Sequence, residues 1–147
     1  MKLSEIDWDR ILPKTLSTAN PAAGADPAVI TVPAKTVYRV MGVFNTITTD
    51  GNAADRYPYL LELQDGTNTS GRYAAATPIT ASLTGVMTSF NGGGAGGAVG
   101  DAQVQSVPIP PRGIELPPAG KLQLKYLNIQ AGDDATAAVI TYKEAPA

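Results

Sequence analysis

The chain has 147 residues with no Cys and no His, and its 11 Lys and Arg stand against 13 Asp and Glu for a net charge of −2. That inventory excludes disulfides, thiolate and imidazole metal ligands, a Cys nucleophile and every Ser-His-Asp or Cys-His mechanism. The absence of a basic excess argues against DNA or RNA as a partner. A length of this order fits one domain that can bury about 68 to 70% of its unfolded surface without a cross-link.

The first ten residues carry acids where a signal peptide needs a basic start and an apolar core, and no run approaches 18 apolar residues, so neither export by that route nor a membrane span is expected. Residues 4–12 read as a short helix: Ser4 can cap it, Glu5 and Asp7 suit its first turn, and Pro13 ends it. Residues 14–27 are rich in Thr, Ser, Ala, Pro, Asn and Gly and read as an extended linker. Residues 1–28 are therefore expected to form an arm, with the sole tryptophan, Trp8, outside the core of a β domain spanning 29–147.

From Val29 onward the texture is that of strands separated by turn residues. Segments 29–32 and 36–49 are rich in β-branched residues, the second long enough to bend at Gly42. Segment 57–64 alternates apolar and polar residues, 72–77 and 79–90 are interrupted by Pro78 and Gly85, and 103–109 closes on prolines that suit a sheet edge. Segments 121–130 and 136–143 flank the turn Ala131-Gly132-Asp133-Asp134 and read as an antiparallel hairpin. About eight strands without helical periodicity predict an all-β fold, an antiparallel β-sandwich, with the eight-stranded jelly roll fitting best. An immunoglobulin-like sandwich fits less well, because the Cys, Trp, Cys pattern is absent.

One phrase occurs twice. Val32-Pro33-Ala34-Lys35 leads into one long strand segment and Leu116-Pro117-Pro118-Ala119-Gly120-Lys121 into another, each a turn feeding a strand. These turns, with the closing Ile129-Gln130-Ala131-Gly132-Asp133-Asp134, resemble small virion proteins of tailed bacteriophages, head decoration or cement proteins among them, over roughly residues 29–144. The resemblance implies a jelly-roll-like fold, a trimer on the phage head surface after synthesis in the host cytoplasm, and the major capsid protein as partner. It implies no enzymatic activity and no cofactor. A carbohydrate- or receptor-binding module of a phage tail or fibre is the alternative.

Other motifs bear on chemistry. Residues 92–97 match Gly-x-Gly-x-x-Gly, but a strand-like segment follows where a dinucleotide site needs a helix, so a loop is expected. Asp50, Asn52 and Asp55, or Asp133 and Asp134, offer oxygens without the spacing of a calcium loop, so no metal is assigned. Glu62 and Glu115 are the carboxylates to consider for glycoside hydrolysis, although Glu62 between two leucines reads as a solvent-facing strand position. Tyr57 and Tyr59 are the best candidates for stacking on a sugar, and Asn68-Thr69-Ser70 reads as a turn. Ile6, Trp8, Ile11 and Leu12 are the expected partner-binding residues. An isolated helix shorter than about 12 to 15 residues is marginal in water, so these side chains must dock on their own sandwich or on another subunit.

Overall fold

The computed structural model describes residues 5–27, 29–90, 98–99 and 102–147. Residues 92–97, expected as a loop, and Ser4, the expected cap, lie outside the described residues. Among those described the fold is all β, with twelve strands in chain order: β1 (Lys14–Ser17), β2 (Ile30–Thr31), β3 (Thr36–Thr48), β4 (Tyr57–Leu63), β5 (Gly71–Ala74), β6 (Thr84–Phe90), β7 (Ala98–Val99), β8 (Ala102–Ser106), β9 (Ile114–Leu116), β10 (Lys121–Leu127), β11 (Asp134–Ala135) and β12 (Val139–Pro146).

Two sheets pack face to face. The larger runs β1-β12-β3-β6-β8-β7, with β9 and β11 also paired to β3, and the smaller runs β2-β10-β4-β5. All pairs are antiparallel except β6 with β8. The expected sandwich is therefore present, and each predicted strand segment has its counterpart in β2, β3, β4, β5, β6, β8, β10 or β12. The expected bend at Gly42 is a register shift: Thr141 opposes Gly42 while Tyr142 opposes Val40, leaving Met41 without an opposite number.

Alternation fills the interior. Val40, Val43, Leu60, Met87, Ile114, Leu116, Leu122, Leu124 and Ile140 are all buried in one cluster between the sheets, and Ile47, Ile79, Tyr126 and Ala135 form a second at one end. The repeated phrase pairs with itself: the Val32 amide donates to Gly120 O at 2.9 Å and the Ala119 amide donates to Val32 O at 3.1 Å. Both turns place a non-glycine residue in the left-handed region, Lys35 at φ 62° and Ala119 at φ 64°.

Two expectations change. Segments 121–130 and 136–143 do not form a hairpin, because β10 pairs with β4 and β2 in the smaller sheet whereas β12 pairs with β3 and β1 in the larger. The connection crosses the sandwich, and Asp133 within it is fully buried rather than turned to solvent. The helix expected over 4–12 is a 3-10 turn at Trp8–Arg10, after which Ile11 is extended (φ −91°, ψ 124°). Extension there lets residues 14–17, read as linker, pair as β1 with β12, and four ladder positions outweigh a marginal helix.

The connection that crosses the sandwich is fixed by Arg56, whose five N–H donors all find acceptors. Its Nε and Nη2 donate to Asp133 Oδ2 and Oδ1 at 2.9 and 2.8 Å, Nη2 also to Asp50 Oδ1 at 2.5 Å, and Nη1 to Asn52 O at 2.7 Å and to Ala54 O. Asp133 further accepts the backbone amides of Gln130 and Asp50. Burial alone would raise the Asp133 carboxyl, but the Arg56 and amide hydrogen bonds outweigh it and hold it below the ordinary carboxylate range. Asp50, Asn52 and Asp133, weighed above as calcium ligands, thus surround a guanidinium.

Candidate functional site: the outer face of the larger sheet

Side chains that alternate with the buried ones on β12, β3, β6 and β8 form the outer face of the larger sheet. At one end this face is covered by the arm. Trp8 is 4% exposed and packs on Val37 and Ala145, with Ile6 and Ile11 half-buried beside it. The Arg39 guanidinium lies 4.6 Å from the Trp8 ring centroid and pairs with Glu115, while Lys143 Nζ donates to Trp8 O at 2.7 Å. The indole N–H of Trp8 and the Nε of Arg39 are buried with no partner. A cleft of about 730 Å³ opens between arm and sheet, with Arg112 and Asp9 at its rim.

Beyond the register shift the same face lies open, and its chemistry changes. On β3 it presents Gly42, Phe44, Thr46 and Thr48; on β6 Thr84, Val86 and Thr88; on β8 Val104 and Ser106; on β12 Val139 and Thr141. None is charged; the first acid is Asp134, opposite Thr48 at the far end. Phe44 is 46% exposed between Val139 and Thr88, its cross-strand neighbours, over a shallow depression of about 240 Å³. Threonine and β-branched residues are what a pleated, half-buried surface selects, and a chain with 24 charged side chains could readily have placed some here.

The four arm residues named from the sequence separate into two groups. Ile6, Trp8 and Ile11 dock on their own sandwich, whereas Leu12 is 82% exposed, with Leu16 also exposed one strand-length further on β1. Sequence reasoning missed the open face, although its signal is present: Phe44, Thr46 and Thr48 alternate with Val43, Asn45 and Ile47, so the polar phase of β3 carries no charge.

The other candidates are occupied. Glu62 lies opposite Leu122 on the inward side of β4, not facing solvent, and accepts Tyr73 Oη–H at 2.7 Å as well as Gln64 Nε2–H. Burial first, then that bond to Glu62, pushes the Tyr73 phenol up to about 12. Glu115 is held by Arg39. Tyr59 has the Arg72 guanidinium 4.5 Å from its ring centroid, so that ring face is taken. Among the described residues no group of three or more acidic side chains gathers as a metal site, and no helix is long and apolar enough to cross a membrane.

Fold and face together define an all-β two-sheet sandwich with one outer face half-covered by its own arm. No protein-family model matches the chain, and no curated protein matches it. Among solved structures it is similar to the VP2 subviral particle of infectious bursal disease virus, at 15% identity and a TM-score of 0.47 over 91% of this chain and 33% of that one. It is likewise similar to the Gt strain of that virus, at 16% identity and a TM-score of 0.45 over 91% of this chain and 32% of that one. The chain thus spans about a third of the length of these structures.

Proposed function

We propose that the chain is a non-enzymatic structural protein of a virion, a head decoration or cement protein that binds the major capsid protein and its own copies as a trimer. The observation that carries this reading is the uncharged half of the larger sheet's outer face. A flat surface of Phe, Val and Thr can be desolvated against a partner without burying an unpaired charge.

At about 3.3 Å per residue and 4.8 Å per strand, the open face measures roughly 20 by 15 to 20 Å. That is short of the roughly 800 Å² per partner of a standard interface. Leu12, exposed just before β1 at the edge of the same sheet, supplies further apolar surface, which is the role proposed for the arm, whereas Leu16, opposite Ile140, lies on the sheet's inward side.

The test is co-sedimentation with shells assembled from the major capsid protein alone. The natural chain should pellet with them, while Phe44→Asp and Val86→Asp should remain in the supernatant with their urea midpoints unchanged. Full binding by both variants would remove this face from the proposal. Binding by the natural chain to a glycan array, with none to shells, would instead favour the tail or fibre module.

A further inference from the structure

The opposite side of the sandwich, the outer face of the smaller sheet, has a different character. Leu122, Leu124 and Tyr126 on β10 are buried, so Lys121, Lys125 and their intervening glutamine face outward; Leu60 on β4 is buried, so Tyr59 and Leu61 face outward as well. Arg72 on β5 opposes Leu61 and therefore shares that face. Its charged side chains are thus Lys121, Lys125 and Arg72, all cations, and none of them has an ion-pair partner among the described residues. Two acids border this face, both engaged by backbone: Asp26 accepts the Tyr126 amide at 2.7 Å next to Lys125, and the Asp65 carboxylate is taken by the amides of Thr67 and Asn68 and by the Asn68 side chain.

This concentration stands out against a chain whose net charge is −2. Elsewhere Arg10 pairs with Asp7, Lys14 with Glu144, Arg39 with Glu115, and Arg56 with Asp50 and Asp133, while Lys35, Arg112 and Lys143 form no ion pair among the described residues but lie off this face. Lys121 and Lys125 lie about 13 Å apart along β10, and Arg72 about 10 Å across from that strand. Such spacing is too wide for one phosphate or carboxylate to bridge two cations, whereas a linear polymer with repeated anionic groups meets all three. Between the cations lies the apolar side chain of Leu61, while the ring face of Tyr59 is covered by the Arg72 guanidinium.

From this charge complementarity we infer that the outer face of the smaller sheet binds an acidic polysaccharide, with Lys121, Lys125 and Arg72 as the contacting cations. The Arg72 guanidinium over Tyr59 excludes base stacking on that ring face, which separates this surface from a single-stranded nucleic-acid platform. The inference is independent of the particle-docking reading, since it uses the other sheet.

The experiment passes the full chain over immobilised heparin, polygalacturonate, neutral dextran and polyglutamate. Retention on the two acidic polysaccharides at low salt, release by about 0.5 M salt and passage through dextran are expected. Replacing Lys121, Lys125 and Arg72 together by Gln should weaken binding at least about tenfold. Lys35→Gln and Arg112→Gln, off this face, should change nothing, and near-UV circular dichroism of the triple variant checks that the sandwich is intact. Passage of the natural chain through both acidic columns, or unchanged retention of the triple variant, overturns the inference. Retention on polyglutamate alone overturns it in favour of an acidic peptide.

Discussion

Arg56 and Asp133 show how much one residue pair can settle in this fold. Both are fully buried, every N–H of the guanidinium is used, and Asp133 holds β10's exit against the turn after β3 through the Asp50 amide. Such a pair is expensive to desolvate, and breaking it by removing one partner is costlier still, about 3 to 5 kcal/mol. Asp133→Asn should lower unfolding free energy by that order in urea titration. The pH dependence follows from the direction of the shift. Because the folded carboxyl lies below its unfolded value of about 3.9, its stabilisation is complete above that pH and fades as the pH falls through the lower folded value. Asp65, held down to about 2 by the Asn68 side chain and backbone amides, acts in the same direction. The Asp133→Asn protein should therefore lose less stability than the natural chain between about pH 4 and pH 2. Equal acid slopes for the two would show that Arg56 does not hold Asp133 as a carboxylate.

At the level of elements, the arm behaves as a strap. It is held by the four-residue ladder of β1 with β12, by Trp8 over Val37 and Ala145, and by the Lys143 bond to Trp8 O. These contacts are few compared with those of β3, so the arm should open below the global unfolding transition. As Trp8 is the sole tryptophan, its emission should shift at a lower urea concentration than the β-sheet signal in circular dichroism. Trp8→Ala should speed hydrogen exchange at β1 amides while leaving those of β3 protected; coincident transitions would make the arm part of one cooperative unit. Much of the rest was legible in the chain. Regular alternation marks β4 and β10, and β-branched density marks β3, because each buries one side on a common core. β1, β9 and β11 were not legible, since their two to four residues become strands only where β3 or β12 offers an unpaired edge. The hairpin expected at Ala131-Gly132-Asp133-Asp134 failed for a related reason. Turn residues announce a reversal but not whether the chain returns to the same sheet, and that choice rests on Arg56, distant in sequence. The outer face was missed because an uncharged polar phase looks like ordinary strand composition until four such strands lie side by side.

For the whole molecule, the two outer faces differ in kind: one uncharged beyond the arm, the other carrying unpaired cations. A sandwich so divided is suited to sit between two unlike surroundings, and the trimer proposed for it must be held by groups that its own fold leaves unused. Leu12 separates the two possible roles of the arm. Trp8 is buried on its own chain, so substituting it perturbs the fold as well as any partner contact; Leu12, 82% exposed, contributes almost nothing within one copy. Leu12→Ser should therefore leave the urea midpoint within about 0.5 kcal/mol of the natural chain, as surface substitutions do. If the arm reaches a neighbour, the same substitution should shift the native mass measured by light scattering from trimer toward monomer, in a concentration-dependent manner, because an exposed leucine becomes buried only on association. An unchanged trimer would place the subunit contact elsewhere and return the arm to a strap serving its own sheet. A natural chain that is monomeric at every concentration would mean that copies meet only on the capsid surface, and Leu12→Ser should then weaken co-sedimentation with shells instead.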